Sequence, residues 1–118
     1  MKFDVTKLFD SPSEFFKFGG SATMKLSARA SYDFCQEASR RNFIIMRIEG
    51  GIWNDGCFEA RFDCIWDGLD PPVTKDDAIE NNNDAAEFIR IESTLVRHDS
   101  APYNAFIFTA RPISYRIL

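Results

Sequence analysis

The sequence predicts an α+β fold, a largely antiparallel sheet of three to four strands packed against two main helices, with a short N-terminal extension. Three observations predict it. Leu26, Ala30, Phe34 and Ala38 recur four residues apart, the repeat of an amphipathic helix. From Cys57 to Trp66 the repeat is two, with Phe58, Ala60, Phe62, Cys64 and Trp66 on one face and Glu59, Arg61 and Asp63 on the other, as in a half-buried strand. The turn residues Asn54-Asp55-Gly56 and Pro71-Pro72 then cut the chain into the order helix, hairpin, helix, strand. Two helices on one antiparallel sheet are the simplest way to cover these apolar faces.

Residues 1–23 read as the extension. Ser11-Pro12-Ser13 starts a short helix with Glu14 in its first turn, and Gly19-Gly20-Ser21 ends it in a joint. Phe15, Phe16 and Phe18 either pack back onto the domain or meet a partner. Residues 24–118 form the single domain. Its first helix spans Lys25 to Arg41, and its first strand, Phe43 to Glu49, alternates Ile44, Met46 and Ile48 with Ile45, Arg47 and Glu49. Asn54-Asp55-Gly56 makes a three-residue hairpin loop, and Gly50-Gly51 suggests a bulge. Thr74, three residues before Asp77, caps a helix running to about Val96, with Ile79, Ala86, Ile89, Ser93 and Val96 as its apolar stripe and Glu80, Asp84 and Glu87 as an acidic flank. A third strand covers Tyr103 to Ala110, and beyond Pro112 a short end strand is expected from Ser114 to Leu118.

At 118 residues the chain is long enough for one core without staples. Its longest apolar run, Phe43 to Met46, is far below the roughly 20 residues that cross a bilayer, and no signal-peptide pattern opens it, so a soluble cytoplasmic protein with no membrane partner is expected. Cys35, Cys57 and Cys64 are odd in number and lack C-x-x-C spacing, which argues against a disulfide scaffold or a zinc module. Charge is distributed unevenly. Residues 49–92 hold twelve acids and three bases, net −9, within a chain of net −4. That balance implies a basic partner and disfavours direct binding of nucleic acid, whose phosphates call for Lys and Arg. The alternative is an acidic α+β interaction or small-ligand module whose charge serves solubility alone.

Catalytic chemistry is poorly represented. The single histidine, His98, lies in a polar loop before a turn, no glycine pattern matches a phosphate loop, and the carboxylate pairs fit helix capping better than a cation site. No catalytic residue, metal or cofactor is assigned, and the protein is not expected to be an enzyme.

From Met24 onward the chain resembles a known family. Met24-Lys25-Leu26-Ser27, Cys35 with Glu37-Ala38, Ile48-Glu49-Gly50-Gly51, Trp53, Gly56, Phe58, Trp66, Glu80-Asn81-Asn82 and Asn104-Ala105-Phe106-Ile107-Phe108-Thr109 follow the order of immunity proteins of the colicin E-five type. Related immunity proteins accompany tRNase toxins delivered by contact-dependent growth inhibition. The resemblance implies an inhibitor that binds the C-terminal ribonuclease domain of a cognate toxin and occupies the cleft where the tRNA would lie. It covers residues 24 to about 110, so a folded inhibitor starting near Met24 is expected after deletion of residues 1–22. A blocker of that cleft needs carboxylates where phosphates would lie and a flat group where a base would stack. Glu49, Trp53, Asp55, Glu59, Asp63, Asp67 and Asp70, on the hairpin and the loop beyond it, are the candidate toxin-binding residues.

Overall fold

The computed structural model describes residues 3–116. Its elements are β1 (Leu8–Phe9), α1 (Ser13–Lys17), β2 (Lys25–Ser27), α2 (Ala28–Arg40), β3 (Phe43–Asn54), β4 (Cys57–Asp67), α3 (Lys75–Thr94) and β5 (Ala105–Pro112). The strands form one sheet in the order β1-β2-β5-β3-β4, antiparallel except where β1 lies along β2. α2 and α3 pack on each other and on β3. The predicted class holds, with five strands because the short segments β1 and β2 also join the sheet.

Lys25–Ser27 is therefore strand, not the first turn of a helix. The Ser27 hydroxyl accepts from the Ala30 amide, a side-chain cap that starts α2 one turn later than periodicity suggested. Leu26 is buried in either conformation, which is why its spacing matched the helical stripe. The N-terminal segment enters the core. Phe15 is fully buried with its ring 4.6 Å from Phe34, Phe16 stacks on Phe34 at 5.4 Å, and buried Phe9 meets Phe3 and Phe18.

The parity of β3 changes along its length. Ile45 and Arg47 pair with Ala110 and Thr109, so Met46 is an extra residue bulged out against β5. Ile45, Ile48 and Gly50 consequently share the helix-covered face with Ala110, Phe108 and Phe106, while Arg47 and Glu49 turn to the other side. The predicted alternation of Ile44, Met46 and Ile48 fails for this reason. The hairpin turn is tighter than predicted: Asn54 pairs with Cys57, leaving Asp55 and Gly56 alone in the turn with φ of 51° and 81°. Two positive φ angles make a type I′ turn, whose twist suits the flanking strands.

The irregularity expected near Gly50-Gly51 exists, but its extra residues lie in β4. Glu49 and Gly51 face Ile65 and Ala60, so β4 carries three more residues than β3 over this stretch. The excursion brings β4 down onto the glycines: a Cβ on Gly50 would stand 2.4 Å from Cys64 Sγ, and one on Gly51 would stand 2.0 Å from the Glu59 carbonyl oxygen. It also breaks the predicted apolar face. Cys64 is buried, Trp66 packs at the edge of the core, and Phe62 is fully exposed.

In α3 the Thr74 cap forms as expected, its hydroxyl accepting from the Asp77 amide. The buried stripe is Ala78, Asn81, Asn82, Ala85 and Ile89, whereas the predicted members Ile79 and Val96 are exposed. The reason is polar. Beyond Arg47, β3 has no strand on its β4 side, and the Asn82 side chain completes the ladder by accepting from the Ile45 amide at 3.0 Å and donating to the Phe43 carbonyl at 2.9 Å. Asn81 donates to the Ile45 carbonyl and accepts from the Leu69 amide. The need to satisfy these buried backbone groups sets the helix rotation. After Pro112 the chain turns at Ile113–Ser114; no strand forms over Ser114–Arg116, and Ile117 and Leu118 of the expected end strand lie outside the described residues.

Candidate functional site

The seven candidate residues occupy three places. Trp53, Asp55 and Glu59 lie at the outer end of the hairpin. Trp53 is half-buried, and its backbone is held by Asn104, whose side chain accepts from the Trp53 amide at 2.7 Å and donates to its carbonyl at 3.2 Å. Asp55 is exposed in the turn, and Glu59 is exposed with Arg61 at 3.4 Å.

Glu49 and Asp67 lie on the sheet face away from Ile48 and Phe108, since residues opposite one another in a ladder share a face. Arg47 joins them, with its guanidinium 3.0 Å from Glu49 and 2.6 Å from Asp67. Asp67 stands opposite Arg47 because the β4 excursion shifts the register between Ala60 and Ile65.

Asp63 belongs to a third group, on the excursion itself. The Tyr103 hydroxyl donates to its carboxylate at 2.6 Å, Arg97 lies over the Tyr103 ring at 3.5 Å, and Arg97 pairs with Glu92 and reaches Asp63 at 3.9 Å. Burial, and then the bond to Asp63, hold the Tyr103 hydroxyl above its ordinary pKa, so it stays protonated as the donor. Periodicity could not reveal this group, whose members come from β4, α3 and the loop before β5.

A groove of about 530 Å³ opens between the end of β4 and α3, lined by Trp66, Asp67, Leu69, Asp77, Glu80 and Asp84 among others. Asp67 is shared with Arg47, but Asp77, Glu80 and Asp84 form no ion pair among the described residues. Asp70 is exposed just beyond the groove, and Glu87, farther along α3, is tied to Arg90. The structure thus joins Asp67 at the end of β4 to Glu80 and Asp84 of the acidic flank of α3, and it supplies an indole, Trp66, at the junction.

The thiols are not poised for chemistry. Cys35 and Cys64 are buried, and burial pushes the Cys64 pKa up to about 12 and that of Cys35 higher still. Cys57 and His98 are exposed. Among the described residues no three His, Cys, Asp or Glu side chains converge to hold a metal, and no helix is long and apolar enough to cross a membrane. What the surface can do is present fixed carboxylates and indole edges to a basic partner.

The family model described as the colicin-E5 Imm protein matches residues 24–111. The immunity protein CdiI of Burkholderia pseudomallei is 47% identical over 114 residues, covering 97% of this chain and 98% of the relative. The colicin-E5 immunity protein of Escherichia coli, and the colicin-E5 immunity protein in ColE9, are each 33% identical over 90 residues, 75% of this chain and 99% of their own length.

Proposed function

The chain belongs to the colicin-E5 immunity protein family, and on that premise we propose that it binds the C-terminal ribonuclease domain of a cognate toxin and fills its tRNA-binding cleft with an acidic surface. As a member of that family it is a toxin inhibitor and not an enzyme. The proposal places the encounter in the cytoplasm, where tRNA is. It takes Glu49, Trp53, Asp55, Glu59, Asp63, Asp67 and Asp70 as recognition residues and extends them across the groove to Asp77, Glu80 and Asp84.

One observation carries this reading. Of the twelve carboxylates in residues 49–92, all but Glu92 are exposed, on β3, β4, α3 and the loop joining them. A ribonuclease is basic where it holds RNA phosphates, so a rigid array of carboxylates competes for the same surface. The surface is preformed by the hairpin and α3, which lowers the ordering cost of binding.

The direct test is inhibition. Added at equal molarity to the toxin domain encoded beside its gene, the protein is expected to abolish anticodon cleavage while leaving the toxin chain intact; persistent tRNA cleavage, or a cut toxin, would overturn the reading. The electrostatic part has its own measurement. Stopped-flow association rates are expected to fall about tenfold or more between low and physiological ionic strength, as for other steered charged pairs. A rate indifferent to salt would return the acidic charge to a role in solubility.

A further inference from the structure

Phe62 is the most exposed large apolar side chain of the described protein, with its whole surface in solvent. A single exposed apolar residue is common on protein surfaces. This one is unusual in how it is held. It sits inside the three-residue excursion of β4, an edge strand, so it belongs to neither the core face nor the regular ladder.

The residues on either side are pinned. Arg61 is partly buried, pairs with Glu59 and lies toward the Tyr103 ring, with its Nε–H buried and unpartnered. Asp63 accepts from the Tyr103 hydroxyl, Tyr103 is itself buried and covered by Arg97, and Cys64 packs onto Gly50. The fold therefore fixes both flanks of a ring that contributes nothing to its own core. With the residues on both sides held, a phenylalanine presented in this way meets a partner without the cost of ordering its backbone. The strand that carries it indicates the chemistry of that partner: β4 also holds Glu59, Asp63 and Asp67, all exposed, so the surface that meets this strand is rich in Lys or Arg around an apolar pocket for the ring.

We propose that Phe62 is the aromatic anchor of the toxin interface, inserting into an apolar pocket at the margin of the basic ribonuclease surface while the exposed acids of β4 meet cations elsewhere on that surface. The assignment rests on the inhibitor reading above and identifies the contact that gives the complex its lifetime. Steering acids act on the association rate, whereas a buried anchor acts on dissociation.

The experiment compares the parent protein with Phe62→Ala and Phe62→Tyr, by surface plasmon resonance against the toxin domain encoded beside the gene. Thermal melting and the oligomeric state of the free proteins are followed in parallel. Phe62→Ala is expected to melt with the parent, since the ring touches no core, to associate at nearly the parental rate, and to dissociate about 30-fold faster or more. Phe62→Tyr is expected to keep most of the affinity. If the parent binds and Phe62→Ala binds within about twofold of it, the anchor assignment fails and the inhibitor reading stands. If the parent itself neither binds nor inhibits that domain, both fail. If the free parent is a dimer that Phe62→Ala makes monomeric, the ring packs on a second copy of the chain and the assignment to the toxin is wrong.

Discussion

Asn82→Ala is expected to lower the stability of the protein by roughly 3 to 5 kcal/mol, although it removes a polar side chain from a helix and increases helix propensity. The amide of Asn82 stands in for a missing strand. It takes up the Ile45 N–H and the Phe43 carbonyl, and it also donates to the Ser39 hydroxyl and accepts from Asn81. Its residue is 1% exposed, so water cannot readily replace it without opening the packing of α3 on β3. Each buried backbone group left unpaired costs about 1 to 3 kcal/mol, and two are left here. Urea unfolding would show this as a lowered midpoint with an unchanged slope. The exposed neighbour supplies the control: Asn83→Ala is expected to change stability by no more than about 0.5 kcal/mol. A shift of under about 1 kcal/mol for Asn82→Ala would show that the ladder is satisfied some other way.

Deletion of residues 1–22 is expected to leave a chain that is largely unfolded or aggregated, against the expectation drawn from where the family pattern begins. Phe9 and Phe15 are buried, Phe3, Phe16 and Phe18 pack beside them, and β1 pairs with β2. Full burial of a phenylalanine ring contributes about 1.5 to 3 kcal/mol, so losing Phe9 and Phe15 alone removes a large share of the 5 to 15 kcal/mol that holds a typical domain. The deletion also bares the apolar surfaces of Phe34 and Phe43 against which these rings lie. The Escherichia coli relatives match over 75% of this chain while using 99% of their own length, so they have no counterpart for a segment of this size. The Burkholderia relative, matched over 97% of the chain, does. Circular dichroism and gel filtration of the truncated protein would decide: a cooperative, monomeric melt close to that of the full chain would show the segment to be dispensable.

The motif residues that carried the family resemblance have mainly architectural roles in the structure. Gly50 and Gly51 admit the β4 excursion, Asn81 and Asn82 close the open edge of β3, and Asn104 clamps the backbone at Trp53. These positions ask for particular chemistry: no Cβ at Gly50 and Gly51, and at Asn82 and Asn104 a short side chain that both donates and accepts. The acids and Phe62, which face outward, carry no such geometric constraint, and the same scaffold can bear a different surface.

Local chemistry was enough to determine several things from the sequence alone. Thr74 uses its side-chain oxygen for the nearest orphan amide, Gly56 supplies a positive φ at the hairpin turn, and Pro112 ends the last strand. The class of the fold followed, because apolar repeats of four and of two are set by helix and strand geometry within a few residues. The tertiary structure alone decided the parity of β3 and β4, the rotation of α3 and the exposure of Phe62. Met46 and residues 61–64 bulge, and each bulge reverses which side chains face the core, in a period-two element where a single slipped residue exchanges the two faces. Whether such a slip occurs depends on partners far along the chain, Phe106 against Gly50, Tyr103 against Asp63 and Asn82 against Ile45. Those contacts arise only once strand and helix have met, so no local pattern around Phe62 could have placed it in solvent.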